Sequence, residues 1–367
     1  MKGEMRGLDR IIKIDKYYTC RNHFRTKFDQ GCKNRFTASN QEEYIRWKEN
    51  TRVLLRNLIG LDKMEKCPLE SEVLEVVKVS EDICREKIVI QTEPDVWMPM
   101  YVLIPAQIKE DGIKCFIAPP GHSGAGKYSV AGCYDIPAVA DKIKEYNYDY
   151  GMQLAKLGYV VFCPDIRGFG ERREKEMQCE NEEAFLRSSC FHLAHMAEPL
   201  GQTVTGMNTW DMMKLLDYIE ERMDLKSGKV GCLGFSGGGM LSLWLSALDD
   251  RIGLTVISGY MYGYKDSLLE LNGNCSCNYV PRLWEHVDMG DIGALLAPRP
   301  VMVQSCLGDP LNGARGIENV IEQVVIMKKA YELCDAQQFL YHDICQGGHK
   351  WHNENLESFL NNLPSMV

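Results

Sequence analysis

From Lys114 onward, short apolar runs alternate with segments of helical periodicity, and this alternation constrains the fold more than any other feature. KCFIAPP, YVVFCPD, KVGCLG, LTVISGY, RPVMVQSCLG and QQFLYHDI read as strands. NYDYGMQLAKLG, NTWDMMKLLDYIEER, GMLSLWLSAL, ENVIEQVVIMKKAYELC and ENLESFLNNL read as the helices among and after them. Short strands of buried type, alternating with helices, predict a mainly parallel sheet covered on both faces. Upstream, SEVLEVVKVSE, CREKIVIQTE and PMYVLIP alternate or nearly so, as antiparallel strands at a sheet edge do. Before them, Tyr44, Trp47, Leu54, Leu55 and Leu58 recur at helical spacing, with Ser39 or Asn40 as cap and Gly60 as stop. The organisation expected is an N-terminal helical extension over 1–70 and an α/β domain over 71–367. Two insertions, near 127–146 and 171–207, break the rhythm. Both leave the C-terminal edge of the sheet, where open α/β sheets bind ligands, so they are expected to cap a pocket.

Composition narrows the partners. The 367 residues are 45% hydrophobic and 25% charged, which is globular material with ample core. A formal net charge of -9 argues against nucleic acid or an anionic membrane as main partner. No window reaches the ~18 apolar residues of a membrane span. The opening MKGEMRGLDRIIKIDKYY has neither an apolar leader core nor a cleavage site. A cytoplasmic protein is therefore expected, with its 15 cysteines reduced and packed as small hydrophobes. A small molecule is the expected partner, and a homo-oligomer is left open.

One serine lies among four glycines in GFSGGG, residues 234–239, between a strand-like and a helix-like segment. Glycine weakens the interior of either element, so a site must require it. Gly234-Phe235-Ser236-Gly237-Gly238 fits G-x-S-x-G, in which a sharp strand-to-helix turn exposes a nucleophilic hydroxyl. The amide of Gly237, at the start of the new helix, can face a developing oxyanion.

A serine hydroxyl needs a base, and the base needs an acid to fix its tautomer. The chain order for this turn is Ser, then Asp or Glu, then His. Asp309 ends the strand VMVQSCLG and is the candidate acid, ahead of Asp343. Among the late histidines, His342 falls inside a strand and His352 opens the final helix. His349 follows Gly347-Gly348 in a loop and is the candidate base. The second oxyanion donor should come from GHSGAGK, after KCFIAPP, through the amides of His122 and Ser123. The same string echoes a phosphate loop, but Tyr128 stands where Ser or Thr would have to follow Lys127.

EKIVIQTEPDVWMPMYVLIP, PPGHSGAGK, PDIRGFGER, DIGALLAPRPVMVQSCLGD and the run from GMNTWDMM through GFSGGG to ALDDRI together resemble the bacterial α/β-hydrolases related to acetyl xylan esterases and dienelactone hydrolases. CNYVPRL and GGHKW fit the same group, and the likeness runs from about Glu42 onward. The resemblance implies an α/β-hydrolase fold, with Ser236 as nucleophile, Asp309 as acid and His349 as base. Relatives often carry His-Gly-His-Gly in the oxyanion loop. Here Pro120 and Ser123 replace the first His and the second Gly. This departure bears on how the loop is anchored, not on the triad.

Arg167, just after a strand, reads as a loop-holding residue more readily than as a substrate ligand. Cys232 and Cys306 read as core, and Trp351 as pocket wall or sheet cover. Cys275 and Cys277 form a C-x-C without a convincing partner pair, and Cys20, His23 and Cys32 do not make a four-ligand set. No metal or organic cofactor is expected. The function expected is that of a serine carboxylic-ester hydrolase working through an acyl-enzyme, on small acyl esters such as acetyl esters by resemblance. Two alternatives share the fold. A prolyl-oligopeptidase-like peptidase would need a propeller, for which the N-terminal part is too short. A non-catalytic binding protein would need a defective triad, and all three positions are filled.

Overall fold

The computed structural model describes residues 14–362, apart from 111, 179–180, 223, 226–227 and 272. Among the described residues nine strands form one sheet: β1 (Ser71–Lys78), β2 (Ile83–Glu93), β3 (Val96–Pro105), β4 (Cys115–Ile117), β5 (Val160–Pro164), β6 (Val230–Phe235), β7 (Ile252–Ser258), β8 (Val301–Cys306) and β9 (Leu340–Cys345). Their order is β1-β2-β3-β5-β4-β6-β7-β8-β9. Pairing is antiparallel from β1 to β5, as the alternating texture of the first strands predicts. From β5 onward every neighbouring pair is parallel.

The sheet separates two cores by the two-residue period of its strands. Ile117, Phe162, Cys232, Ile257 and Val303 face one side. Phe116, Val161, Leu233, Val256 and Met302 face the other. Both sides are apolar, so the central strands have no polar alternation. Burying such a side chain contributes roughly 1.5–3 kcal/mol. β1 is exposed along nearly its whole length and carries Glu72, Glu75 and Lys78. Charge of that kind protects an edge against further strand pairing.

The helices are α1 (Arg21–Phe28), α2 (Gln41–Leu58), α3 (Lys127–Val130), α4 (Pro137–Tyr146), α5 (Tyr150–Lys156), α6 (Glu182–Leu186), α7 (Cys190–Ala197), α8 (Val204–Glu221), α9 (Gly237–Leu248), α10 (Leu283–His286), α11 (Met289–Ala294), α12 (Ile317–Leu333) and α13 (Leu356–Asn361). α9 is buried on every side, which suits its sequence GGGMLSLWLSAL. Asn40 is the cap of α2 and accepts from the Glu43 amide. That helix docks through the Tyr44 hydroxyl, which donates to the carbonyls of Ala294 and Ala297 at 2.9 and 3.0 Å. α3 and α4 occupy the first insertion, and α6 and α7 the second. Among the described residues no helix is long and apolar enough to cross a membrane.

Candidate active site

Ser236 stands where β6 turns into α9, with φ 57° and ψ -119°. A residue other than glycine held there stores on the order of 1–3 kcal/mol of strain. The Ser236 amide donates to the Ser258 carbonyl at 2.8 Å, and the Met240 amide to the Ser236 carbonyl at 3.0 Å. From Val230 to Leu248, Ser236 is the one residue that is not buried. The neighbouring glycines let this turn close. A Cβ on Gly234 would lie 2.3 Å from the Gly238 carbonyl carbon, and one on Gly238 would lie 2.2 Å from the Pro119 carbonyl oxygen. Both obstacles are backbone, so neither can yield cheaply. Gly237 opens the helix, where an amide has no intrahelical acceptor.

The imidazole of His349 lies beside this turn. Its ring is 4.5 Å from the Phe235 ring, and a Cβ on Gly259 would lie 3.2 Å from its Cε1. Its Nδ1 is 2.7 Å from Asp309 Oδ2. The other carboxylate oxygen of Asp309 accepts from the Leu311 amide at 2.8 Å. With Nδ1–H donating to the carboxylate, Nε2 is the nitrogen left able to accept a proton. The two loops are tied together, since the Gly308 amide donates to the Gly347 carbonyl at 2.8 Å.

The other late candidates sit elsewhere. His342, in β9, is 3.2 Å from the Ser305 hydroxyl, and burial lowers its pKa to about 4. Asp343 accepts from Asn355 Nδ2 at 2.8 Å. His352 is buried and does not open the last helix, which begins at Leu356. It lies instead in the irregular segment before α13, where its carbonyl accepts from Gln304 Nε2 at 2.8 Å. Trp351 is buried, with its ring 5.0 Å from that of Tyr150 and its N–H donating to Gln153. Cys232 and Cys306 are core residues of β6 and β8.

The loop GHSGAGK passes directly over the serine turn. A Cβ on Gly121 would meet the Ser236 Cβ at 3.2 Å, and one on Gly237 would meet His122 Nδ1 at 2.9 Å. The Tyr148 hydroxyl donates to the His122 carbonyl at 2.8 Å. Among the described hydrogen bonds, none uses the amide of His122 or of Ser123. Lys127 anchors the far end of the loop. Its side chain is fully buried, with Nζ 2.6 Å from Asp165 Oδ2 and 2.5 Å from Glu171 Oε1. Its amide donates to Asp165 Oδ1 at 2.8 Å. Burial would raise the Glu171 carboxyl, but the Lys127 charge and hydrogen bonds from Lys127 and Lys87 outweigh it and hold it at about 2. Lys127 is thus an internal brace, not a phosphate ligand.

Arg167 also serves the scaffold. Its guanidinium spans Asp211, at 3.0 and 2.8 Å, and Glu93, at 2.5 Å. Arg172 adds a second contact to Asp211 at 2.7 Å. Burial would raise the Asp211 carboxyl, but the two guanidiniums lower it to about 2.

The two insertions converge over the GHSGAGK loop. A cleft of ≈ 400 Å³ lies there, lined by His122, Ser123, Lys142, Glu183, Leu186, Arg187 and Ser188. One group in this region was not legible in the sequence. His122, Cys190, Cys275 and Cys277 bring their side-chain ligand atoms within 4.8 Å of one another. The C-x-C lacked a partner pair on paper, and the fold supplies one, His122 from the loop after β4 and Cys190 from the start of α7.

A mainly parallel sheet, a strained serine at its edge and an Asp-paired histidine beside it define an α/β-hydrolase architecture. The chain belongs to the Abhydrolase family, which it matches over residues 26–362. It is 28% identical over 272 residues to the Bacillus subtilis (strain 168) protein named "Putative hydrolase YtaP", covering 74% of this chain and 84% of that one. Solved structures share the fold at low identity. The Bacteroides fragilis NCTC 9343 protein titled a "putative acetyl xylan esterase" aligns with TM-score 0.71 and 16% identity, over 90% of this chain and 83% of that one. A glucuronoyl esterase from Solibacter usitatus aligns with TM-score 0.62 and 16% identity, over 88% and 93%. These matches agree with the resemblance to hydrolases related to acetyl xylan esterases.

Proposed function

We propose that the protein is a serine carboxylic-ester hydrolase. The observation that carries this reading is the convergence at one sheet edge of a strained, partly exposed serine and an Asp-paired imidazole. His349 Nε2 removes the Ser236 proton as Oγ attacks the ester carbonyl. Asp309 holds the imidazole in the required tautomer and stabilises its cation. The amides of Gly237, His122 and Ser123 face the developing oxyanion, and one such donor contributes roughly 3 kcal/mol. His349 then protonates the leaving alcohol, and water, activated by the same imidazole, cleaves the acyl-enzyme.

For substrate, we favour small acyl esters such as acetyl esters. The sequence resemblance supports this, as does the likeness of the fold to that of the Bacteroides fragilis protein titled a "putative acetyl xylan esterase". A cytoplasmic location fits the cysteines, none of which is in a disulfide among the described residues.

Hydrolysis of p-nitrophenyl esters of graded chain length and of acetylated sugars tests the proposal. The expected outcome is turnover that falls as the acyl chain lengthens. Ser236→Ala should lower kcat by about 10⁴-fold or more with unchanged circular dichroism. A folded Ser236→Ala variant that keeps most of the activity would place the nucleophile elsewhere.

A further inference from the structure

Three cysteines and one histidine meet where the oxyanion loop touches the second insertion. His122 belongs to the loop after β4, and Cys190 is the first residue of α7. Cys275 and Cys277 flank Ser276 on the segment that follows β7. Cys190 and Cys277 are buried, and His122 and Cys275 are half-buried. His122 Nε2 is 3.3 Å from Cys277 Sγ, and all four ligand atoms lie within 4.8 Å of one another. We propose that this cluster is a closed Cys₃His site for one Zn²⁺ ion, and that the ion clamps the oxyanion loop to the cap.

Bond lengths favour this. Tetrahedral zinc, with Zn–S about 2.3 Å and Zn–N about 2.0–2.1 Å, sets ligand atoms about 3.5–3.8 Å apart. No separation exceeds the tetrahedral value by more than about 1.3 Å, and the His122 Nε2···Cys277 Sγ distance, 3.3 Å, is already near it. The donors suit the ion. Three sulfurs and an imidazole are a soft set that selects zinc over the hard, oxygen-seeking cations. A disulfide would satisfy two of the sulfurs and leave the third and the imidazole unused.

The surroundings are built to hold the ligands. Asn278 Nδ2 lies 3.6 Å from Cys277 Sγ and donates to the Cys275 carbonyl at 3.1 Å. The Thr205 hydroxyl donates to the Cys277 carbonyl from α8. Such outer contacts orient metal ligands. The Nδ1 edge of the same imidazole packs over Gly237, so the ion would fix His122 against the start of α9. Lys127 braces one end of the loop and the metal the other, which answers the missing His-Gly-His-Gly pattern. The metal reading stands on the cluster itself and not on the esterase chemistry.

The full-length protein, purified under reducing conditions, should carry about one equivalent of zinc by elemental analysis after gel filtration. Replacing zinc with Co²⁺ should give the intense visible bands of tetrahedral cobalt and sulfur-to-cobalt charge transfer. Cys190→Ser should weaken the charge-transfer band by about one third and lower metal retention, whereas Cys20→Ser, on an exposed cysteine, should change neither. Wild-type protein without metal and without tetrahedral cobalt bands would overturn the proposal. So would a disulfide joining any two of Cys190, Cys275 and Cys277, detected by peptide mapping. Both tests on the wild-type chain hold even if Cys190→Ser fails to fold.

Discussion

Asp309 lies in the turn after β8 and Asp343 within the neighbouring β9, and their hydrogen bonds separate them. Asp309 has one oxygen on the Leu311 amide and the other on His349 Nδ1. Asp343 accepts from Asn355 and Gln304, and among the described hydrogen bonds none joins it to the serine turn. Replacing the Asp309 carboxylate by an amide removes the acceptor that selects the Nδ1–H tautomer. Asp309→Asn should therefore lower kcat by about 10⁴-fold, while Asp343→Asn stays close to wild type. The reverse order in ester-hydrolysis kinetics would reassign the acid. The sequence already favours this choice, because Asp309 follows the strand VMVQSCLG in a loop, whereas Asp343 is expected after the last strand; the structure places it within β9. The same logic of position separated His349 from His342 and His352.

At the scale of elements, α8 is held to the loop after β5 by one buried charge cluster. Asp211 lies between Arg167 and Arg172, with no solvent exposure of its carboxylate. Its folded pKa, about 2, is below the ordinary 3.8, so the ion pairs contribute stability that is fully present above about pH 4. That contribution, about 2 kcal/mol, is lost as pH falls through about 2. Asp211→Asn leaves two buried guanidiniums short of a counter-charge and should cost about 3–5 kcal/mol at pH 7. Urea midpoints should show the gap between wild type and variant narrowing as pH drops from 5 toward 2. A gap that stays constant over that range would show that the carboxylate charge is not what holds these elements. Arg167 and Lys127 were both visible in the sequence as charged residues near the site. Their partners were not, because Asp211 is 44 residues from Arg167 and Asp165 is 38 from Lys127.

Across the whole molecule, the legible features were those written in local periodicity. All nine strands fall where apolar runs predicted them, since buried parallel strands need unbroken apolar stretches and edge strands alternate. β9 is shorter than QQFLYHDI suggests, because Gln337–Phe339 forms a 3-10 turn before it. The segment between β7 and β8 carried no periodic signal. It holds a π-helical turn at Lys265–Glu270 and two short helices, α10 and α11, too brief for a helical pattern to emerge. The Cys₃His group was invisible for a different reason. It is assembled by tertiary contact, with His122 and Cys277 155 residues apart, and no spacing rule reaches that far.

The central claim is that a strained Ser236 is activated by His349. Labelling with a fluorophosphonate, followed by peptide mapping of the adduct, tests it most directly. The account predicts one phosphonylated residue, Ser236, with labelling abolished in Ser236→Ala and slowed by orders of magnitude in His349→Ala. A label on any other residue, or an unlabelled protein that still hydrolyses esters, would contradict it.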